Sequence, residues 1–324
     1  MKYLYKYMPL RKEFFDNLMI RATPFAALND PYEGLYNDEQ FKTANKGVQK
    51  FAKKQGIPVE DVSDNFLNGV MDFIQLDFDA VGVLSFTEDY TSSLMWAHYA
   101  DQHRGIVLEF DYDKPLFQDS TRKLGKRESR FGENYLGGFY EFPEKVMYRR
   151  EILSFERYEQ VQVNGEYPFR EFLHDLFFTK SNDWLYEKEW RSIVQLSDAD
   201  SIICRKNELL SKTLAKDKTI KVKNPDQDKI QIIYPSGYEM HEDMGDQSLK
   251  QEIALQIFSE NANNINLFRL NPEAISRIYC GHRCDEDQVK KFVHSNSQLT
   301  HLKDNIYKME IDRYSYQLNS NLVK

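Results

Sequence analysis

The chain has 324 residues, 41% of them hydrophobic and 14% aromatic, enough apolar material for one large core, which excludes a disordered protein. A formal net charge of −8 argues against a surface that binds nucleic acid all over. Three cysteines exclude a disulfide framework.

The opening M-K-Y-L-Y-K-Y-M-P lacks an apolar core of signal-peptide length, and no run of about eighteen apolar residues follows, so a cytoplasmic protein without membrane contact is expected. Tyr3, Tyr5 and Tyr7 alternate with Leu4 and Lys6, which predicts a strand carrying Lys6. Leu10, Phe14, Leu18 and Met19 then recur at helical spacing. Asn29, Asp30 and Pro31 predict a turn, because Asx side chains bond their own backbone and proline disfavours helix before it. In N-D-P-Y-E, Asn29, Asp30 and Glu33 are therefore turn residues first and binding candidates second.

A long polar helical region is expected over residues 39–76. Residues 81–86 form a short apolar run that predicts a buried strand delivering Ser85 and Thr87 to its exit. Ser92 or Ser93 caps the next predicted helix, along which Trp96, Tyr99, Ala100 and His103 share a stripe until Gly105 stops it. His98 and Asp101 lie one helical turn apart there, a spacing that suits a surface pair better than a catalytic one. Strands are expected at 105–110 and near 139–148, and a core-facing helix at 169–178. The basic run Arg122, Lys123, Lys126, Arg127 and Arg130 between them reads as a solvated loop rather than a phosphate site.

From 197 to 268 the pattern loosens, and this stretch is read as a peripheral insertion between a core at 1–196 and a closing segment at 269–324. The closing segment carries a helical turn at Pro272, a strand at 275–280, a helix at 286–294 and strands at 305–311 and 314–318. The whole is a single elaborated α+β domain, a mixed sheet with flanking helices, lacking the strand-helix alternation of a doubly wound fold. Cys280, His282 and Cys284 lie together without a second ligand pair, so no metal is expected. Phosphate-binding loops, dinucleotide fingerprints, H-E-x-x-H and nucleophile elbows are missing from the sequence.

What remains is K-S-N-D-W-L-Y-E-K-E-W-R, residues 180–191. If 187–196 is extended, Glu187, Glu189 and Arg191 share one face, the glutamates about 6–7 Å apart at roughly 3.3 Å per residue. In solvent such a face holds only a weak surface pair; in a recess it is chemistry. Lys180 and Arg191 are the strongest companions of the glutamates, since a cation there neutralises the carboxylates or holds a phosphate.

N-D-P-Y-E, L-S-F-T, M-W-A-H-Y-A with R-G-I-V-L-E-F, K-x-x-x-W-x-Y-E-x-E-W-R and I-x-R-I-Y-C-G together resemble the bacterial and phage family catalogued as domain of unknown function 2971. More distantly, Lys6, then Ser85-Phe86-Thr87, then Glu187-Lys188-Glu189 resemble, in chain order, the signature of toxin-type mono-ADP-ribosyltransferases. That resemblance implies a split sheet holding NAD in a cleft and an effector of toxin or anti-phage defence type. It implies Glu189 at the nicotinamide ribose, stabilising an oxocarbenium-like transition state, and Glu187 orienting or deprotonating an acceptor, protein or nucleic acid. Trp96, His98, Tyr99, Lys180, Trp184 and Arg191 complete the candidate contacts, and no metal enters. Partner proteins of a toxin or defence system go with that reading. On it, Glu189→Gln is expected to leave folding intact and abolish activity.

Two other readings stand beside it. In a metal-dependent nuclease, Asp30, Glu33, Glu88, Asp89, Glu187 and Glu189 converge as oxygen ligands for Mg²⁺, with Lys180 near the phosphate. In a non-catalytic sensor, Trp96, Trp184 and Trp190 line a small-molecule pocket.

Overall fold

A computed structural model of the chain describes residues 2–35, 78–118, 143–153, 169–236 and 249–323, together with 53, 75, 128–129, 132–133 and 238. The basic side chains at 122–130 and, apart from residues 53 and 75, the helix expected at 39–76 lie outside the described residues.

The tyrosine-leucine alternation forms β1 (Tyr3–Met8), with Leu4 buried on one face and Tyr7 on the other. The helix that follows, α1 (Lys12–Asn17), is shorter than its apolar spacing suggests, because Leu18 turns left-handed at φ 51. The Asn17 side chain accepts from the Met19 amide at 2.9 Å, and the chain leaves as β2 (Met19–Pro24), a strand absent from the sequence reading. The expected strands at 81–86 and 105–110 are β3 (Val81–Thr87) and β4 (Ile106–Asp111). Between them lies α2 (Ser93–Tyr99), capped by Ser92, whose hydroxyl accepts from Met95. After α2, Asp101, Gln102 and His103 are successively left-handed, each at a cost of about 1–2 kcal/mol. The bonds His103 N–H to Trp96 O and Gly105 N–H to Ala100 O fasten this loop. Gly105 is required there, since a Cβ would stand 2.3 Å from the Met8 carbonyl oxygen on neighbouring β1.

Further along come β5 (Glu144–Lys145), β6 (Met147–Arg149), α3 (Phe169–Phe177), β7 (Thr179–Ser181) and β8 (Glu189–Gln195). The strand expected near 139–148 is represented by β5 and β6 alone among the described residues. Residues 197–268 build β9 (Ser201–Arg205), α4 (Glu208–Leu214), β10 (Lys221–Lys223), β11 (Lys229–Ile233), α5 (Leu249–Ile257) and β12 (Ile265–Arg269). The segment read as peripheral is thus continuous with the rest, since β12 pairs with β2. The closing elements are β13 (Ile275–Cys280), α6 (Glu286–Ser295), β14 (Ile306–Ile311) and β15 (Leu318–Leu322). β15 begins where the sequence reading ended its last strand, because Asp312 accepts from the Tyr314 and Ser315 amides and holds that stretch in a turn.

Among the described residues thirteen strands form one mixed sheet, in the order β10, β11, β9, β12, β2, β3, β1, β4, β13, β14, β15, with β8 on the other edge of β3 and β5 beyond β8. The pair β13–β14 is parallel, and β6–β7 form a separate parallel ribbon. The fold is therefore α+β, and the sheet splits at β3. One edge of β3 pairs with β8 along its whole length. On the other, Gly82 and Val83 pair with β2 while Thr87 pairs with β1. Between these two contacts the edge opens at residues 84–86. The main core, containing Phe14, Leu84, Leu108, Phe268 and Ile306, lies on one face, and a second cluster around Trp96, Val107 and Tyr279 on the other. Among the described residues no helix is long and apolar enough to cross a membrane.

α3 is tied to β5 by His174, whose Nε2 lies 2.9 Å from Glu144 and whose Nδ1 lies 3.4 Å from Asp175. Partial burial opposes the imidazolium, but Asp175 and Glu144 outweigh it and raise His174 to about 9. Its unfolded value is 6.5, so the stability it contributes is full below pH 6.5 and is lost as pH rises through 9. Urea midpoints of wild type and His174→Gln are expected to lie furthest apart at pH 6 and to converge by pH 9.5. A gap independent of pH would show that the pair is not ionic.

Candidate functional site

The split in the sheet opens onto a cavity of about 220 Å³. β1 contributes Lys6 to its wall, β3 contributes Ser85 and Thr87, and the turn after β2 contributes Asn29 and Glu33. α2 adds Tyr99, and the segment from β7 to β8 adds Lys180, Glu187 and Glu189. Residues from five separate parts of the chain therefore meet where, among the described residues, a β3 edge lacks a strand partner.

Lys6 deals with that open edge: its ammonium donates to the Ser85 carbonyl at 2.8 Å, replacing the ladder bond that neither β1 nor β2 reaches to make. Burial lowers this lysine to about 8 against the pull of Glu189 and Glu187.

Opposite Lys6 is a buried network of charge. Arg191 is fully buried, and its guanidinium forks onto Glu189, Nε to Oε1 at 2.9 Å and Nη2 to Oε2 at 3.0 Å. Its Nη2 also stands 2.5 Å from Glu33, and its Nη1 donates to the Phe177 carbonyl at 2.8 Å. Lys180, buried beside it, donates to Glu187 at 2.6 Å and Glu189 at 3.0 Å, with Glu33 at 3.6 Å. Its ammonium also sits 4.8 Å from the centre of the Trp184 ring. Tyr99 donates its hydroxyl to the second oxygen of Glu187, and the Ser85 hydroxyl bonds Glu189.

Burial would raise Glu189, but Arg191 and Lys180 overcome it and hold the carboxyl down at about 2. Glu33, less well bonded, is pushed by burial up to about 6 despite Arg191. Lys180 is raised by its carboxylates against the same penalty. Burial, then Glu187, raises the Tyr99 phenol, which keeps it a donor. Three carboxylates thus face two buried cations, ionisation of Glu33 at about 6 adds negative charge to the network, and among the described residues Lys6 is the cation across the cavity.

The expectation that 187–196 is extended needs correction. Residues 182–187 form a 3₁₀ turn capped by the Ser181 hydroxyl, Lys188 is left-handed at φ 46, and the strand starts at Glu189. Glu187 and Glu189 converge on Lys180 through this turn rather than by strand alternation. Asp30 is structural: its carboxylate accepts from the Tyr32 and Ser181 amides, at 2.9 and 3.2 Å, and so fixes the loop that presents Glu33. Asn29 lines the cavity and bonds Tyr99.

Asp30 and Arg191 do not themselves line the cavity, and Trp96, His98 and Trp184 fall away from it. Trp96 is core, its indole N–H donating to the Tyr90 carbonyl. His98 is exposed on the far side of its helix, and Asp101 pairs with Arg104 rather than with it. Trp184 covers Lys180 without lining the cavity. The three tryptophans do not share a pocket, since Trp190 bonds Glu88 and packs on Tyr112.

Of the six carboxylates that a metal-dependent nuclease would gather, only Glu33, Glu187 and Glu189 meet, and Lys180 occupies the position between them. Glu88 pairs with Lys145 and Asp89 with Lys188, both toward solvent. Among the described residues no group of three or more His, Cys, Asp or Glu is arranged to hold a metal ion. A contributor the sequence did not announce is Tyr148 on β6, whose hydroxyl accepts the Glu189 amide at 2.7 Å and pins the strand's first residue. Nothing in V-M-Y-R-R distinguishes it.

No curated protein and no solved structure matches the chain. Residues 95–192, which run from α2 to the middle of β8 and include Lys180, Glu187, Glu189 and Arg191, match a family model described as Protein of unknown function (DUF2971). The charged side of this cavity is thus built largely within the matched region, and the similarity to that family covers residues 95–192 of the chain.

Proposed function

We propose that the cavity at the sheet split binds the nicotinamide riboside end of NAD and that the chain is an ADP-ribosyltransferase-like effector. The observation that carries this reading is the convergence of Lys6, Ser85 and the Glu187–Glu189 pair, from three separate stretches of sequence, on one cavity beside a split in the sheet. Its volume of about 220 Å³ suits a ring and a ribose rather than a whole dinucleotide, so the adenylate lies outside the mouth.

In the reaction the C1′–N glycosidic bond of NAD breaks and nicotinamide leaves with the bonding electron pair. Positive charge develops on C1′ and the ring oxygen, and the negative charge of the network stabilises it. Because Arg191, Lys180 and Ser85 fix Glu189 before substrate arrives, little reorganisation is needed at the transition state. An acceptor hydroxyl, amine or water then bonds C1′, and its proton passes to Glu187, which lies at the cavity wall. Such chemistry suits a toxin or anti-phage defence protein, with protein or nucleic acid as acceptor.

The test is calorimetric titration with NAD, then with Mg²⁺ and Mn²⁺, alongside assay of nicotinamide release. Saturable NAD binding and nicotinamide release without added metal are expected. The rate should rise with pH through about 6, as Glu33 ionises and the network gains negative charge, and NAD binding should weaken above about 8, as Lys6 loses its proton. No heat with NAD, but metal binding that Glu189→Gln removes, would replace this reading with the nuclease. Labelled NAD incubated with cell extract then identifies the acceptor by what it labels.

A further inference from the structure

The ribbon β6–β7 has two faces with different company. In its parallel register Tyr148 is opposite Lys180, and both reach the carboxylate network, Tyr148 at the Glu189 amide and Lys180 at Glu187. Arg149 is opposite Ser181, and these two with Thr179 alternate to the reverse face. There they line a second cavity, of about 360 Å³, within the size range of small-molecule sites.

The lining of this cavity has two characters. Leu35, Leu153 and Leu176 supply an apolar wall, and Leu153 and Leu176 are buried. Arg149, Arg150, Thr179 and Ser181 supply donors. The Thr179 hydroxyl is buried and has no hydrogen-bond partner among the described residues, which leaves a polar group whose desolvation goes uncompensated unless a ligand bonds it. Among the described residues the Arg149 and Arg150 side chains make no ion pair or hydrogen bond either. The carboxylates at the rim, Glu151 and Asp183, are exposed and do not engage them. Two adjacent guanidiniums and a buried hydroxyl, all without partners among the described residues, and an apolar wall make an environment for a tetrahedral anion attached to an apolar body.

We propose that this second cavity is a binding site for an organic phosphate of nucleotide size, its phosphate on Arg149, Arg150 and the Thr179 hydroxyl and its body against the leucine wall. The site is separate from the NAD cavity and does not depend on that reading. Lys180 sits in the same ribbon and lines both cavities, but its ammonium is turned to Glu187 and Glu189.

The test is calorimetry with AMP, adenosine and inorganic phosphate on wild type, Arg150→Glu, Thr179→Val and Glu189→Gln. Arg150 is exposed, so its reversal is expected to leave the melting temperature unchanged. AMP should bind saturably, adenosine and phosphate each at least tenfold more weakly. Arg150→Glu should weaken AMP at least tenfold, Thr179→Val several-fold, and Glu189→Gln not at all. The proposal is overturned by absence of AMP binding, by adenosine binding as well as AMP, or by AMP binding that Arg150→Glu leaves intact. Loss of AMP binding in Glu189→Gln would also overturn it, since AMP would then occupy the first cavity. Failure of the NAD assay alone leaves these results unaffected.

Discussion

Arg191→Met should lower the unfolding free energy by about 3–5 kcal/mol at pH 7.5, the largest stability loss of any single replacement in the network. The reason is not the worth of the ion pairs themselves. A buried pair roughly breaks even, because desolvating both charges cancels most of their attraction. Removing one partner is different: Glu189 loses its two-pronged donor and Glu33 its nearest cation, and both stay buried. The Phe177 carbonyl loses its bond as well. The effect has a pH signature. Glu189, held at about 2 in the folded chain against an ordinary 4.5, contributes stability present above 4.5 and lost as pH falls toward 2. Glu33, raised to about 6, acts in the opposite sense and weakens the fold as pH rises from 4.5 through 6. Without Arg191 both carboxyls take up protons nearer neutrality, and a neutral carboxyl needs no counter-ion. The gap between wild type and Arg191→Met in urea unfolding should therefore be widest at pH 7.5 and shrink by pH 5. A loss below about 1 kcal/mol, or one that does not vary with pH, would mean that water reaches the carboxylates.

Much of this network could be read from a few residues, and the parts that could not have physical explanations. Lys180, Glu187, Glu189 and Arg191 lie within twelve consecutive positions, so local geometry alone brings them within reach of one another, even though a 3₁₀ turn and a left-handed Lys188 replaced the strand that was assumed. Glu33 stood out only as part of N-D-P-Y-E, and its arrival beside Arg191 depends on Asp30 binding the Ser181 amide, a tertiary contact without periodicity. Tyr148 carried no signal at all. In the fold, β1, β3, β4 and β13 were legible because their apolar residues alternate or run unbroken. β2 was hidden behind a helical spacing that Leu18 terminates by turning left-handed. β10 is exposed along its whole length, so burial left no pattern to find, although its pairing with β11 extends the sheet. The split at β3 is the feature that sequence periodicity is least able to report, because it lies in what β3 does not pair with.

Glu189→Gln should reduce nicotinamide release by at least about 100-fold while leaving the affinity for NAD within several-fold, because the carboxylate acts on charge that exists only in the transition state. The replacement also carries a cost in stability. Glu189 accepts from Arg191 on both oxygens and from Lys180 on one, so the amide group of glutamine must point a donor at a donor. That mismatch, with a missing negative charge beside two buried cations, should cost on the order of 1–3 kcal/mol. The assay therefore belongs well below the variant's melting temperature, with the folded fraction measured by circular dichroism. Glu187→Gln separates the two carboxylates. Glu187 touches Lys180 and Tyr99 and stands outside the Arg191 fork. Its replacement should leave release of nicotinamide to water within tenfold and cut transfer to an acceptor at least 100-fold. Equal losses in both reactions would mean that the pair acts as one charge rather than in two roles. Wild-type turnover in folded Glu189→Gln would end the proposal, since no other carboxylate on the cavity wall is joined to both Arg191 and Lys180 at hydrogen-bond distance.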